Sequence, residues 1–398
     1  MNIQRSGFKR IAIVLAGIST ASISTMAHAD WSIKGLNLHG LSSYVYGIND
    51  SGQVLGESSA DADDFNTVYY PFVTGPDGVG MTELSFRAFG INDSGQMWGA
   101  FNSADFTYNS FITEPDGVGM TLLGSLDGDD GSVARDFNNS GQVVGYDLVN
   151  GSYHAFITGS DGIGITDLGT LGGGESKAYG INDFGQVVGS SYVDNEHNNI
   201  HAFMTGPSGD GMTDLGTLGG RSSTAEAIND SGQVVGTSAM VDGTAHAFIT
   251  GPDGIDMKDL GTLGGFYSEA IDINDLGEVI GKAYTADDHN HSFLFSHGGI
   301  TDLNLLDAVV AAGWKDLHVI DINNHGQIVG VGTNRNDIQE AFLLSYTSDT
   351  VFTPSPIFIP PAMSPPPPPI PEPETYAMLL AGLGLLGFVM WRRKPIEE

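Results

Sequence analysis

Cysteine is absent from the chain, so no disulfide can hold the fold together. Stability must therefore come from packing and from backbone hydrogen bonds. Basic residues are also scarce, because residues 30–370 carry 9 of them against 44 acidic residues, a formal charge of −35. Phosphate binding needs clusters of Lys and Arg, which excludes nucleic acid as a partner. The acidic surface suits a soluble, exported protein and attracts divalent cations diffusely.

Charged residues of either sign are few, at 16%, whereas glycine is abundant, at 56 of 398 residues. Glycine at about twice its usual frequency disfavours long helices and favours a chain with many turns. The sequence also lacks a nucleophile elbow, a zinc-protease helix, a phosphate loop and a dinucleotide glycine motif. No enzyme class is therefore indicated by a motif.

One ten-residue stretch recurs through the chain, and its clearest copy, Gly180 to Gly189, reads GINDFGQVVG. Apolar residues flank an Asn-Asp-x-Gly sequence that is typical of a tight turn, in which Asn caps the turn and Gly takes a positive φ. The stretch predicts two short strands joined by a hairpin. Its asparagine occurs seven times, at steps of 43 to 49 residues: Asn49, Asn92, Asn138, Asn182, Asn229, Asn274 and Asn323.

Each repeat holds four strand-like elements, which in one copy are 165–168, 178–181, 186–189 and 201–205. The chain starts on a first element at Trp31 and ends on a fourth, so no half repeat is left over. Four strands in a unit of about 45 residues, seven times, predict an all-β, seven-bladed β-propeller. A linear β-solenoid is the alternative, although a closed ring would leave fewer exposed edges. The fourth element carries a recurring aromatic: Phe72, Phe111, Phe156, Phe203, Phe248, Phe293 and Phe342.

One segment leaves the repeat pattern. Residues 305–312 have a helix-forming composition, with Asn304 as the expected N-cap and Gly313 as the expected residue after the helix. We expect this segment to lengthen the last repeat and to support the place where the ring closes.

The two ends of the chain differ from the repeats, which occupy residues 30–346. A basic stretch, an apolar run and the small-residue site Ala27-His28-Ala29 predict a signal peptide over residues 1–29. Residues 347–370 are rich in proline and predict an extended spacer. Residues 371–398 contain a short apolar segment, Tyr376 to Trp391, followed by basic residues. This order predicts a weak membrane anchor or a transient stop, with the basic cluster holding the C-terminus in the cytoplasm.

The C-terminal segment resembles the PEP-CTERM sorting signal, which consists of a Pro-Glu-Pro motif, one short transmembrane helix and a basic end. The resemblance implies recognition by an exosortase, a membrane protease-transpeptidase of Gram-negative bacteria. It also implies release or attachment at the cell surface, often alongside exopolysaccharide, and leaves open whether the helix is cleaved. The residues that carry the motif are Pro371, Glu372, Pro373, Arg392, Arg393 and Lys394.

The repeats resemble the HAF family of extracellular repeats over about residues 31–346. The name-giving tripeptide ends at Phe156, Phe203 and Phe248 and is degraded in the other copies. The resemblance implies a repeat fold in an extracellular setting, and the family brings no established catalytic residues.

Residues that recur in every repeat are poor candidates for a specific site, because an enzyme site is normally singular. We therefore interpret the His-Ala-Phe histidines and the Asn-Asp-x-Gly turns as structural rather than metal-binding. The loops between the third and fourth elements break the period and hold oxygen ligands of the kind that calcium prefers. Plain solvated loops are the favoured interpretation, and weak calcium binding is the alternative. The candidate ligands are Asp61, Asp63, Asp194, Glu196, Asp287 and Asp288.

The sequence thus favours an exported, non-enzymatic propeller without a cofactor, either displayed on the surface or released. We expect a binding or structural role in the extracellular matrix or with exopolysaccharide. A propeller-type hydrolase that acts on extracellular polysaccharide is the alternative, and a purely architectural protein without a specific ligand is the third reading.

Overall fold

The computed structural model describes residues 30–37, 42–59, 68–102, 108–115, 117–128, 132–195 and 199–347. The expected signal peptide, Pro-rich spacer and sorting segment lie outside these ranges.

The described residues form an all-β fold of 28 strands, which we group into four-stranded units. The chain enters on β1 (Asp30–Leu36). Units 1 to 3 follow as β2 (Ser42–Ile48), β3 (Val54–Ser59), β4 (Tyr69–Thr74), β5 (Met81–Glu83); β6 (Ala88–Ile91), β7 (Met97–Asn102), β8 (Tyr108–Thr113), β9 (Met120–Leu122); and β10 (Val133–Phe137), β11 (Val143–Val149), β12 (Ser152–Thr158), β13 (Ile165–Asp167).

The second half of the chain continues the same order. Units 4 to 6 are β14 (Ser176–Ile181), β15 (Val187–Tyr192), β16 (Ile200–Thr205), β17 (Met212–Gly216); β18 (Gly219–Ile228), β19 (Val234–Met240), β20 (Ala245–Ile249), β21 (Lys258–Gly261); and β22 (Gly264–Ile273), β23 (Val279–Thr285), β24 (Asn290–Ser296), β25 (Gly299–Asp302). Unit 7 combines β26 (Lys315–Ile322), β27 (Ile328–Thr333) and β28 (Gln339–Thr347) with β1. Short 3₁₀ turns occur at Pro76–Gly78, Ser160–Gly162, Pro207–Gly209, Pro252–Gly254 and Leu303–Leu305.

The predicted strands exist, but their grouping into repeats is out of phase with the sheets. The first element of each sequence repeat pairs antiparallel with the fourth element of the repeat before it, as β17 does with β16. The reason is local, because the Gly206–Gly209 turn between them is short enough to make an antiparallel hairpin. By the same rule, β1 pairs with β28, so the first strand of the chain lies beside the last.

The recurring turn has the predicted chemistry. In unit 4, the Oδ1 atom of Asn182 accepts hydrogen bonds from the backbone N–H groups of Phe184 and Gln186, at 3.2 and 3.0 Å. Gly185 has φ of 73°, which a residue with a Cβ adopts only with strain. The hairpin prediction is therefore confirmed.

The core of each unit is built on the recurring phenylalanine, and Phe203 is fully buried. It lies opposite Gly189 in the strand register. A Cβ on Gly189 would lie 2.0 Å from the carbonyl oxygen of Lys177, so only glycine lets the strands approach this closely. The other six copies of this phenylalanine are equally enclosed, at 0% or 1% exposure.

The helix α1 (Asp307–Ala312) is shorter than expected, and the expected N-cap is wrong. Leu306 stands at the N-cap of the helix and makes no side-chain capping bond, while Asp302 caps the preceding 3₁₀ turn by accepting from the Asn304 N–H. Gly313 ends the helix with φ of 77°, as predicted. Val309 of the helix belongs to one apolar cluster with Trp31 of β1, so the segment packs beside the pairing of β1 with β28.

Candidate functional site

The seven recurring turns, five Asn-Asp-x-Gly and two Asn-Asn-x-Gly, converge on one cavity of about 230 Å³, lined by residues from all seven units. We call it the turn-side cavity. It lies at the ends of the first strand of each unit, namely β2, β6, β10, β14, β18, β22 and β26, which we call the cavity-lining strands. A shared cavity makes this the first place to examine for a site.

The recurring asparagines form a closed chain of hydrogen bonds around this cavity. Each Nδ2 donates to the backbone carbonyl of the next asparagine at 3.0 to 3.2 Å, and Asn323 returns to Asn49. Each Nδ2 also donates to the Gln or Glu side chain four residues later. Because both oxygen and nitrogen are used and the side chains are buried, these amides are structural groups.

The residues that follow the asparagines form a second closed chain. Each backbone N–H donates to the side-chain oxygen of the equivalent residue in the next unit, at 2.7 to 3.0 Å. Two amides, Asn139 and Asn324, each donate to the carboxylates on both sides of them. The members are Asp50, Asp93, Asn139, Asp183, Asp230, Asp275 and Asn324.

Asp230 is the member of this chain with a carboxylate on both sides, Asp183 and Asp275. Partial burial, and then the charges of these two neighbours, raise the pKa of Asp230 above its ordinary value. Repulsion between neighbouring carboxylates therefore opposes the stability of this second closed chain at Asp230, where no amide separates them.

Three carboxylates inside the turn-side cavity break the repeat. Asp136, Asp272 and Asp321 stand where the other units have Gly47, Gly90, Gly180 or Ala227. Each accepts a hydrogen bond from a backbone N–H of the next unit, at 2.8 to 3.0 Å. Their remaining accessible surface faces the narrow cavity and protein surrounds them elsewhere, so burial dominates their titration.

Burial raises the pKa of Asp136 to about 7. It also raises the pKa values of Asp272 and Asp321, which share a hydrogen bond, and Asp272 is raised well above its ordinary range. Their shared hydrogen bond raises the pKa of Asp272 and lowers that of Asp321, so Asp272 is the hydrogen-bond donor of the pair. The three groups act chemically as acceptors for backbone N–H groups of neighbouring units.

Just before its turn-side end, each cavity-lining strand carries a side chain that differs from unit to unit. Each of these strands has a β-bulge three residues before its asparagine, as at Arg135 between Ala134 and Asp136. A bulge re-aims a side chain and often lies next to a functional site. The bulge residues are Tyr46, Phe89, Arg135, Tyr179, Glu226, Ile271 and Ile320.

In units 1 and 2 this region holds a buried ion pair. An Nη2 of Arg87 lies 2.7 Å from Oε1 of Glu57 and donates to the Tyr46 hydroxyl at 2.6 Å. The Glu57 side chain is only 4% exposed, whereas that of Arg87 is 51% exposed. The second carboxylate oxygen of Glu57 is buried without a partner among the described residues. Arg87 is therefore the group that holds the Glu57 charge in place.

In units 3 and 4 the cations lie over tyrosine rings. Lys177 Nζ is 4.9 Å from the ring centroid of Tyr146 and 4.3 Å from that of Tyr153, and these rings meet edge to face. The Arg135 guanidinium is 5.5 Å from the ring centroid of Tyr179. We call these five residues the cation–tyrosine patch. Residue types that bind sugars and anions meet here, and the sequence interpretation did not single them out.

Glu226 is the bulge residue of unit 5, the unit after the two that form this patch. Burial, followed by repulsion from Glu269, raises the pKa of Glu226 to about 7, while Arg135 and Lys282 oppose the rise. Glu269 itself is paired with Lys282 at 3.1 Å. A carboxyl group that titrates near neutral pH is a candidate general acid, so this position bears on the hydrolase alternative.

The predicted calcium ligands lie in separate loops. Asp194 follows β15 and accepts a hydrogen bond from Asn199 at 3.0 Å. Asp287 follows β23 and accepts from Thr285 at 2.7 Å, next to Asp288. Asp61, Asp63 and Glu196 lie outside the described residues, and the calcium hypothesis stays a prediction. Within the described ranges, no group of three or more His, Asp or Glu side chains is arranged to hold a metal ion.

The His-Ala-Phe histidines make pairs across neighbouring strands. Their Nδ1 atoms lie 2.8 to 2.9 Å from an aspartate on the outer strand: His154 with Asp167, His201 with Asp214 and His246 with Asp259. Each pair stays within its own unit. This geometry agrees with a structural role at the outer edge of the sheets.

Comparison with solved structures gives the class of fold. The β-propeller domain of the Trilobed protease from Pyrococcus furiosus, which has an open velcro topology, is 10% identical with a TM-score of 0.51, over 81% of this chain and 99% of that chain. Oligogalacturonate lyase from Vibrio parahaemolyticus is 8% identical with a TM-score of 0.50, over 80% and 96%. An oligogalacturonate lyase in complex with manganese is 11% identical with a TM-score of 0.51, over 79% and 93%. At such low identity the likeness shows a propeller-like all-β fold alone. No curated protein matches the chain.

Residues 369–394 match the PEP-CTERM protein-sorting motif. All six predicted motif residues, Pro371 to Pro373 and Arg392 to Lys394, fall inside the matched segment, so the predicted sorting signal is confirmed. The motif is recognised by exosortase and identifies an exported protein of a Gram-negative bacterium, destined for the cell envelope or surface. Among the residues that the structure describes, no helix has the length and apolar character needed to cross a membrane.

Proposed function

We propose that the seven four-stranded units are the blades of one closed, seven-bladed β-propeller of HAF-type repeats. Two features support closure. The chain of asparagine hydrogen bonds returns from Asn323 to Asn49, and β1 pairs with β28 over seven residue pairs. Each joins residues at least 274 positions apart, which a linear stack of repeats would not need.

This propeller is a non-enzymatic binding or structural component of the extracellular matrix, and its partner is an extracellular polysaccharide. The observation that carries the proposal is the sorting motif at residues 369–394 on a propeller-like scaffold. The motif brings the chain to the surface, released or held by its C-terminus, where polysaccharide is the abundant polymer. The bulge residues of the cavity-lining strands differ from unit to unit and include Tyr and Phe, and they supply the binding chemistry that such a partner needs.

A hydrolase that acts on extracellular polysaccharide is the second candidate. The raised pKa of Glu226, near 7, favours it, because a glycosidase needs one carboxyl group that is protonated at neutral pH. A second carboxylate would have to lie across the scissile bond from Glu226. Measurement of turnover together with binding therefore separates the two candidates.

The test uses the full chain, purified in mild detergent, on columns of immobilised neutral and acidic polysaccharides. Saturable retention without newly formed reducing ends supports a binding protein. Reducing ends that appear with wild-type protein and disappear in Glu226→Gln establish the hydrolase instead. Absence of both retention and turnover would leave a purely architectural protein and refute both candidates.

A further inference from the structure

The cation–tyrosine patch contains two of the nine basic residues between positions 30 and 370. Arg135 and Lys177 come from β10 and β14, the cavity-lining strands of neighbouring units. Neither forms an ion pair with any side chain in the described ranges. In a chain of formal charge −33, two adjacent cations without a carboxylate partner are unexpected.

The two cations are held by tyrosine rings instead of carboxylates. Lys177 lies over Tyr146 and Tyr153, and Arg135 lies over Tyr179. An aromatic face positions a cation without neutralising its charge, so both remain available to an anion. Arg135 is exposed and Tyr153 is 37% exposed, so the patch can be reached from solvent.

A small cavity of about 110 Å³ continues the patch. Lys177 and Tyr179 line it together with Glu175, Ser190 and Tyr192. Ser190 interacts with the Tyr179 hydroxyl and lowers its pKa, against the larger effect of burial. The cavity thus offers hydroxyl groups, one carboxylate acceptor, one cation and aromatic walls. This is the mixture that binds a ring carrying many hydroxyls, whereas a bare anion would be repelled by Glu175.

We propose that the cation–tyrosine patch and its adjoining cavity bind an acidic oligosaccharide. Arg135 and Lys177 hold sugar carboxylates, and the faces of the tyrosine rings pack on the pyranose rings. The proposal rests on the proposed polysaccharide-binding function and names its site and ligand class. The surrounding acidic surface disfavours a densely charged polyanion, but salt screens that repulsion beyond about 8 Å and leaves the local contacts effective.

Isothermal titration calorimetry of the full chain tests this site with three probes: an alginate hexasaccharide, which is built of uronic acids, neutral maltohexaose and inorganic phosphate. We expect the alginate hexasaccharide to bind at least about tenfold more tightly than maltohexaose, because each carboxylate–cation contact is a charge-assisted hydrogen bond. We expect phosphate at equal concentration not to compete.

The variants Arg135→Gln and Lys177→Gln should each weaken alginate binding about tenfold or more. Lys258→Gln, an exposed cation on the outer strand β21, is the matched control and should leave affinity unchanged. Equal circular dichroism spectra and melting curves establish that the variants are folded.

Three outcomes overturn the proposal. Unchanged alginate affinity in both variants refutes this site but leaves the wider polysaccharide-binding function standing. Competition by phosphate, or equal affinity for maltohexaose, refutes the acidic-saccharide class. If the wild-type chain binds neither saccharide here and no polysaccharide on the columns, the proposed function falls as well.

Discussion

Two neighbouring positions of the cavity-lining strands, the turn-side asparagine and the bulge residue before it, follow opposite rules. At the turn side, all seven units place an asparagine in the same hydrogen-bonded role, and the residue after it is always Asp or Asn. At the bulge three residues earlier, the seven positions hold Tyr, Phe, Arg, Glu and Ile. The turn-side position repeats the same chemistry seven times, and the bulge position differs from unit to unit.

This difference separates side chains that hold the fold from side chains that are free to serve a ligand. The turn-side amides use all their donors and acceptors within the protein, so little is left for a partner. In the cation–tyrosine patch Lys177 and Arg135 pack against aromatic rings and form no ion pair with a side chain in the described ranges. Mutations at the turn side should therefore change stability, and mutations in the patch should change binding.

The largest effect is expected from Asn182→Ala at the turn side. The side chain accepts from two backbone N–H groups and donates to Gln186 and to the carbonyl of Asn229, and it is 4% exposed. Its removal leaves several buried groups without partners and should lower the free energy of unfolding by about 3 to 5 kcal/mol. Urea denaturation measures this loss.

Asn290→Ala is the matched control for this change, because Asn290 is an exposed asparagine at the start of β24. Its unfolding midpoint should stay at the wild-type value. If Asn182→Ala unfolds at that same midpoint, the closed chain of asparagines contributes nothing to stability. The distinction between the turn-side position and the bulge position then fails.

A smaller loss of stability is expected from Arg87→Ala, whose side chain contacts the bulge residue Tyr46. The change leaves the buried Glu57 carboxylate without its cation, while half of the Arg87 side chain is exposed and adds little. We expect a loss of about 2 kcal/mol in the free energy of unfolding, because a buried charged acceptor loses its donor. Glu57→Gln in the same background should recover part of it.

Lys315→Ala is the control for this second change. Lys315 pairs with Asp337 at 2.7 Å, but both side chains are largely exposed. Its removal should leave the unfolding midpoint unchanged. Equal losses in the two variants would show that burial of Glu57 is not the cause.

Periodic features of this fold could be predicted from the sequence, whereas contacts between distant repeats could not. The hairpin at Asn182, the positive φ of Gly185 and the buried Phe203 follow from local patterns that recur seven times. The predicted grouping of strands into units was wrong by one strand, because the pairing of β17 with β16 depends on a turn between two sequence repeats. Asn304 was a plausible cap by type, but its side chain accepts from Ser292 N–H instead.

The candidate site escaped the sequence interpretation for a related reason. Arg135 is a bulge residue, and an extra residue in a strand breaks the alternation that tells which face a side chain occupies. Lys177 meets Tyr153 only because β14 packs beside unit 3. The signal that could have found them was the variability of the positions just before the recurring Ile-Asn, in contrast to the constancy of the turn.

Asp136 is an exception at the turn side and should make stability depend on pH. Burial raises its pKa to about 7 in the folded protein, so the folded state holds a proton that the unfolded state releases near pH 4. Stability is therefore fully present below the unfolded pKa and falls as pH rises through about 7. Between pH 5 and pH 8 the free energy of unfolding should fall by about 1 to 2 kcal/mol less in Asp136→Asn than in wild type. This figure is reduced to allow for the accessible surface of the carboxyl group.

Urea midpoints at the two pH values check this prediction. Asp288→Asn, which removes a carboxylate from an exposed loop, should keep the wild-type difference between them. Equal differences for wild type and Asp136→Asn would mean that the Asp136 carboxyl is ionised in the folded protein at pH 5.

The smallest effect should come from Asp230→Asn, which makes the turn side more regular than it is. Asp230 lies between Asp183 and Asp275, whose charges add to the cost of ionising it. Asn139 and Asn324 occupy the same place in their units and donate to the carboxylates on both sides. An amide at position 230 would keep the oxygen that accepts from the Asp183 N–H and supply the two missing donors.

We therefore expect Asp230→Asn to stabilise the fold at pH 7 by about 0.5 to 1 kcal/mol, since the site is exposed and solvent screens the charges. The reverse change, Asn139→Asp, is the matched control and should destabilise, because it removes two donors and places a charge between Asp93 and Asp183. Acidification to about pH 4 should shrink both effects as the carboxylates take up protons. If the two variants change the free energy of unfolding in opposite directions, the number of amide donors in this chain of hydrogen bonds sets its stability. If both changes have the same sign, each position is instead adapted to its own unit.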